Sequence, residues 1–116
     1  AGNNPGRAAW VWGVAPLVDL NAYDGVAGLE NAFEGGWTEA VYGAASNPKT
    51  MAAAGKYAGL QMKIAYSSND LVLSPASTIA FAAAVGTVPI NLGPLGHDWN
   101  VPNSPEAIGA LIELLI

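Results

Sequence analysis

The chain has 116 residues, of which 52% are hydrophobic and only 11% are charged. This length predicts one domain at most, and the composition excludes a disordered chain, because disorder requires low hydrophobicity and many charges. Nine acidic residues against four basic ones give a net charge of −5, so we expect no nucleic-acid partner. The sequence has no cysteine and a single histidine, which excludes disulfides, thiolate metal sites and multi-histidine sites. We expect no cofactor and, without a run of 18 apolar residues, no membrane span.

The first predicted element is a strand over residues 8–15, which is apolar on both of its alternating faces. Its aromatic and β-branched content favours a strand, and Pro16 directly follows it. A strand of this kind belongs in a parallel sheet that is covered by helices. We therefore expect it to be buried on both faces.

Residues 19–59 differ in composition from the apolar strand before them, because they are rich in glycine and in acidic residues. We predict short helices over 26–34, 38–45 and 49–58, with Asn47-Pro48 as a turn and helix start. The segment is too small to bury a core of its own. We interpret it as an excursion from one domain.

A second strand is predicted over residues 61–66, and the polar turn Ser67-Ser68-Asn69-Asp70 follows it. The next helix begins with Ser74 as its N-cap and Pro75 at its first position. Gly86 stands where a C-terminal cap is expected.

A third strand is predicted over residues 87–92. Because Pro89 cannot donate a hydrogen bond to a neighbouring strand, this strand is expected near the edge of the sheet. The loop after it, residues 93–99, is rich in turn-forming residues.

The last predicted helix begins at Ser104-Pro105, a capping residue followed by the residue most favoured at the first helical position. Its large apolar residues recur with helical spacing and predict one buried face. These residues are Ile108, Leu111, Ile112 and Leu115.

Strands and helices alternate in this order, which predicts an α/β fold with a parallel sheet of three strands. In such sheets the functional residues lie at the carboxyl ends of the strands, where Asp70 and His97 follow the second and third strands. A carboxylate there can accept a hydrogen bond from one imidazole nitrogen and leave the other free to take a proton. Taken singly, Asp70 is more simply interpreted as a turn former and His97 as an exposed loop residue; together they predict an acid–base pair.

Three other residues follow the predicted strands. Asp19 follows the first strand and is an alternative acid. Asp98 is expected to be a solvated loop residue, and Trp99 is expected to anchor its loop by burial rather than to pack beside the histidine. The pattern from Asp19 to Glu30 is similar to a calcium loop, but its fifth position is Tyr23 and its glycine comes one residue late, so calcium is set aside.

Four stretches of the chain together resemble the carboxyl-terminal half of an α/β-hydrolase. Residues 4–9 resemble the approach to strand six of that family, and residues 64–70 resemble strand seven with its acid-bearing turn. Gly96-His97 resembles the histidine loop after strand eight, and residues 104–116 resemble the closing helix. The segment 19–59 stands in the place of the variable lid. The order of acid and then histidine matches the family's Ser…Asp…His order.

The resemblance implies a serine hydrolase that cleaves a small ester or acyl substrate through an acyl-enzyme, with His97 as base and Asp70 as the residue that orients it. The chain departs from the family at Ser67, where glycine is common, and it has no Gly-x-Ser-x-Gly motif. We therefore expect the serine and the oxyanion hole to lie upstream of Ala1 or in a companion chain, which would be the N-terminal half of the hydrolase. The isolated chain would then be inactive.

A function from another class stays open. The chain could be a non-catalytic structural or binding module that keeps a hydrolase scaffold, such as a subunit of a virion or of a secreted assembly, since a fold does not establish a function.

Overall fold

The computed structural model of the chain describes residues 2–4, 6–23, 25 and 32–116. The predicted helix 26–34 and the calcium-pattern residues Asp24 and Glu30 lie wholly or largely outside the described residues. The elements, in chain order, are β1 (Trp10–Val14), a 3₁₀ turn (Leu20–Ala22), a π-helix (Glu39–Gly43), α1 (Ala44–Ser46), α2 (Pro48–Ala53), β2 (Gln61–Tyr66), α3 (Pro75–Ala84), β3 (Ile90–Asn91) and α4 (Pro105–Leu115).

The strands form one parallel sheet in the order β1-β2-β3, so β2 is the central strand. Val14 pairs with Ala65, and Ala65 pairs in turn with Ile90. This arrangement, with helices flanking the sheet, confirms the predicted parallel sheet of three strands. It also confirms that the third strand lies at an edge.

The third strand is shorter than predicted, because only Ile90–Asn91 of residues 87–92 form a ladder with β2. Pro89 has no N–H to contribute, and the Thr87 hydroxyl donates to the carbonyl oxygen of Met62 at 3.0 Å. A side chain thus takes the place of the backbone ladder at the start of this strand.

The expectation that the first strand is buried on both faces is wrong for this chain. No residue of β1 is fully buried, and Trp10 is 37% exposed. The reason is its position, since β1 is an edge strand of the sheet that the described residues form, with β2 as its one neighbour there. The strand ends at Val14, because Ala15 adopts a positive φ of 45° that breaks the extended conformation.

Two apolar clusters form the core, one on each face of the sheet, as the alternation of side chains along β2 requires. Ile64 and Met62 lie in a cluster with residues of α2 and α3, which are Ala52, Phe81 and Ala82. Ala65 lies in the other cluster, and its buried partners there are Leu92, Val101 and Ala107.

Helix α4 begins as predicted, with the Ser104 hydroxyl accepting a hydrogen bond from the Ala107 N–H, but its packed face is not the predicted one. The buried residues are Ala107, Ala110 and Leu114, whereas Leu111 of the predicted face is half-buried and Ile108, Ile112 and Leu115 are 46%, 51% and 61% exposed. The helix is therefore rotated about its axis by roughly one residue, about 100°, relative to the expectation. Small alanines on the packed face allow the helix to lie close to the sheet.

The excursion 19–59 contains the predicted second helix, shifted by one residue to 39–46, and the predicted third helix in shortened form. The π-helix runs directly into α1, and α2 ends at Ala53 rather than at residue 58 because Gly55 adopts a positive φ of 72°. The rings of Phe33, Trp37 and Tyr42 pack against one another, with centroids 4.9 to 6.3 Å apart. All helices in the described ranges fall short of the length and apolar character that spanning a bilayer requires.

Candidate active site

The two loops that carry Asp70 and His97 leave the same edge of the sheet, because β2 and β3 are parallel neighbours. The ladder between these strands continues past their ends. The Leu92 N–H donates to the Tyr66 carbonyl at 2.9 Å, and the Ser68 N–H donates to the Gly93 carbonyl at 3.0 Å. The loops therefore start out side by side.

Asp70 and His97 meet as the sequence predicts. The Nδ1 atom of His97 lies 2.8 Å from Oδ2 of Asp70, the distance of a charge-assisted hydrogen bond. The Asp70 side chain is only 3% exposed, whereas the His97 side chain is 38% exposed. The carboxylate is thus buried behind an imidazole that solvent or a ligand can reach.

The other carboxylate oxygen of Asp70 is anchored to the backbone. Oδ1 accepts hydrogen bonds from the N–H groups of Val72 and Leu73, each at 2.8 Å. Burial raises the pKa of Asp70, but the hydrogen bonds from Leu73, His97 and Val72 outweigh it and hold this pKa below its ordinary value. Asp70 is therefore ionised at neutral pH, and its orientation leaves Oδ2 as the acceptor for the imidazole.

An ionised acceptor beside Nδ1 determines which nitrogen of neutral His97 carries the proton. The proton lies on Nδ1, where it can be donated to Asp70, and Nε2 keeps a free lone pair. An imidazole held in this way can accept a proton at Nε2, and the nearby carboxylate stabilises the imidazolium that results.

A cavity of about 300 Å³ lies beside His97. Its other lining residues come from the end of β1 and from the loop before α4, and they are the apolar Val14, Ala15, Trp99, Val101 and Pro102 and the charged Asp98. The histidine therefore stands at the border of an apolar surface that suits the apolar part of a ligand.

The expectation that Trp99 anchors its loop by burial is wrong, because Trp99 is 83% exposed. The loop is instead held through its backbone: the Trp99 carbonyl accepts a hydrogen bond from Nδ2 of Asn103 at 2.7 Å. The indole ring is thus free to line the cavity beside His97. Asp98 is exposed, as predicted, and its carboxylate caps the N–H of Asn100 at 2.7 Å.

The alternative acid, Asp19, is engaged elsewhere. Its carboxylate pairs with Lys49 at 2.9 Å, accepts the Asn21 N–H at 3.1 Å and lies 3.4 Å from Nδ2 of Asn47. Burial raises the pKa of Asp19, but these hydrogen bonds hold it below its ordinary value. Asp19 therefore anchors the start of the excursion, whereas Asp70 is the carboxylate bonded to His97.

The sequence reasoning missed the role of Asn47, which is completely buried. Its Oδ1 accepts the Leu20 N–H at 3.2 Å, and its Nδ2 donates to Asp19 and to Oε2 of Glu39 at 2.9 Å. Thr50 also donates to Glu39. The pair Asn47-Pro48 signals only a turn, so the sequence has no pattern that reveals this network.

The described parts of the chain contain no group of three metal-ligating His, Asp or Glu side chains.

No protein-family model, curated protein or solved structure matches the chain.

Proposed function

We propose that this chain supplies the acid and the base of a serine hydrolase of the α/β-hydrolase class, and that the serine lies in a preceding segment or in a companion chain. The observation that carries the proposal is the 2.8 Å contact between Nδ1 of His97 and the buried carboxylate of Asp70. The pair lies at the carboxyl ends of two parallel strands, where the active sites of α/β sheets are built.

In the proposed reaction, Nε2 of His97 takes the proton of the serine hydroxyl as the oxygen attacks the carbonyl carbon of an ester. The imidazolium then gives this proton to the departing alkoxide, which leaves an acyl-enzyme, and water hydrolyses the acyl-enzyme by the same sequence of proton transfers. Asp70 holds the Nδ1 proton and stabilises the imidazolium in both halves. The apolar cavity beside His97 favours an ester with an apolar acyl or alkyl group.

The test uses the polypeptide or complex that contains this chain together with the segment upstream of Ala1. A fluorophosphonate probe should label one serine in that segment, and His97→Ala should abolish the labelling because the hydroxyl loses its base. Asp70→Asn should slow labelling by about 10⁴-fold, the factor that the wrong imidazole tautomer costs in serine proteases.

Glu106→Gln is the control, since Glu106 is an exposed carboxylate in the first turn of α4 and is not among the residues that line the cavity beside His97. This variant should label at the normal rate. Full labelling of the His97→Ala variant would refute the proposal. If the complete polypeptide has no reactive serine, the alternative of a non-catalytic module on a hydrolase scaffold is favoured.

A further inference from the structure

The turn that carries Asp70 is joined to the loop that carries His97 by side-chain hydrogen bonds that the acid–base pair itself does not use. Oδ1 of Asn69 accepts the N–H of Gly96 at 2.7 Å. Oγ of Ser67 accepts the N–H of Leu95 at 3.0 Å and lies 3.1 Å from Oδ1 of Asn69, to which its hydroxyl can donate. The two residues that directly precede His97 are thus held by two side chains from the acid turn.

These bonds replace the support that regular structure would give. The loop 93–97 contains no helix or strand, and both of its glycines, Gly93 and Gly96, adopt positive φ angles of 83° and 69°. Burial does not fix the imidazole either, since the His97 side chain is 38% exposed. The direction in which His97 leaves the backbone therefore depends on how the Gly96 peptide is held.

We propose that Ser67 and Asn69 are positioning residues for His97, with Asn69 as the principal one: by holding Leu95 and Gly96 against the acid turn, they direct the Nδ1–H of His97 toward Oδ2 of Asp70. Ser67 is completely buried, so its hydroxyl is a fixed acceptor. The significance of this arrangement for catalysis rests on the proposed hydrolase function, but the arrangement itself is a property of this chain.

An ordinary stabilisation of the loop is the competing explanation, and the chain offers a matched control for it. Oδ1 of Asn91 accepts the N–H of Gly93 at 2.9 Å, which is the same kind of bond at the other end of the same loop. Asn91→Ala removes one amide-to-side-chain bond from the loop without touching Gly96. A specific positioning role predicts that Asn69→Ala and Asn91→Ala differ in their effect on His97.

The experiment uses the chain labelled with ¹⁵N-histidine, in which His97 is the only histidine. Nitrogen shifts report the tautomer, and the signal of the Nδ1 proton reports its hydrogen bond and its exchange with water. In the unaltered chain at a pH where the imidazole is neutral, we expect the Nδ1–H tautomer with a protected proton. In Asn69→Ala this proton should exchange about five- to tenfold faster, the ratio for one lost hydrogen bond, and the tautomer should shift toward Nε2–H.

Asn69→Asp keeps an oxygen in the place of Oδ1, and it should restore the tautomer and the proton exchange rate of the unaltered chain, which together are the His97 signature. Ser67→Ala should shift this signature in the same direction as Asn69→Ala. The amide spectrum of each variant shows whether the chain is folded. An unchanged His97 signature in folded Asn69→Ala overturns the inference, as does an equal change in Asn91→Ala. If the serine probe finds no target but the signature depends on Asn69, the proposed function fails and this inference stands.

Discussion

Replacing Asp70 tests whether its carboxylate both anchors a turn and orients the imidazole, because two substitutions separate the two roles. Asp70→Ala removes the acceptor of the Val72 and Leu73 N–H groups as well as the partner of His97. Asp70→Asn keeps an oxygen that can serve the two backbone N–H groups. In the asparagine variant, however, the amide nitrogen faces Nδ1 of His97, and two N–H groups cannot donate to each other.

The expected losses of stability follow from the strength of these bonds. A hydrogen bond to a charged group contributes about 1.5–3 kcal/mol, so the two backbone bonds together contribute about 3–6 kcal/mol. Because Val72 is 51% exposed and Leu73 is half-buried, water can reach the freed N–H groups, and we expect Asp70→Ala to lose about 3 kcal/mol, at the lower end of that range. Neutral hydrogen bonds are about half as strong, so Asp70→Asn should lose about 1–2 kcal/mol.

Urea unfolding followed by tryptophan fluorescence measures these losses, and the ¹⁵N shifts of His97 report the tautomer. We expect the Ala variant to unfold at lower urea than the Asn variant, and the Asn variant to carry its imidazole proton on Nε2. Asp98→Ala removes one exposed turn bond, from the Asn100 N–H, and should lose about 1 kcal/mol. If Asp70→Ala is no more destabilising than Asp98→Ala, or if Asp70→Asn keeps the proton on Nδ1, the reasoning is refuted.

Asp70 also makes stability depend on pH. Its pKa in the folded chain lies below the value of about 3.9 that an unfolded aspartate has, so its contribution is present above about pH 4. This contribution is lost as the pH falls through the folded pKa, because protonation weakens the bonds to the backbone and to His97. The urea midpoint should therefore fall below about pH 4, and Asp70→Asn should reduce this fall. Equal midpoints at pH 3 and pH 6 would contradict the assignment.

Two further pairs of variants test the excursion and the end of α3. Asn47→Ala should lower the free energy of unfolding in urea by about 2–3 kcal/mol, since it leaves the Leu20 N–H and part of the Asp19 carboxylate without partners. Lys49→Ala should lower it by under about 1 kcal/mol, because the Lys49 side chain is 66% exposed. Equal costs would refute the assigned role of Asn47. Gly86→Ala should cost about 1–2 kcal/mol, because Gly86 has a φ of +77° and an added Cβ meets no other atom, so only the backbone is strained. Gly109→Ala, inside α4 and equally free of contacts, should instead stabilise the chain, and a similar loss at both glycines would show that the backbone argument is wrong.

The features that the sequence predicts correctly are those that local chemistry determines. Ser74 accepts the N–H of Ser77 and Ser104 accepts that of Ala107, so both predicted caps are confirmed. The order of alternating elements predicts the parallel sheet, and the parallel sheet brings Asp70 and His97 to one edge. Each of these inferences uses either a few adjacent residues or the general geometry of parallel strands.

The features that the sequence does not predict depend on which surfaces meet. In α4, both the predicted face and the neighbouring alanine face are apolar, and only packing against Ala65 and Val101 selects the alanines. A tryptophan is expected to be buried, but the turn around Trp99 is held through the Trp99 backbone carbonyl, so its ring stays outside the core. The partners of Asn47 lie 8 to 28 residues away, and no local pattern encodes such distances.

A series of hydrogen bonds, rather than a deep core, holds Asp70 and His97 in their relative positions. The ladder of β2 and β3 is only two residues long, but it continues through Leu92 and Ser68 into the bonds made by Asn69, and it ends at the contact between Asp70 and His97. Each bond fixes the peptide from which the next one starts, so a displacement of the backbone near the ladder would also displace the imidazole. An exposed histidine can therefore be held in one orientation at the edge of a small sheet, provided that the acid turn and the histidine loop stay joined.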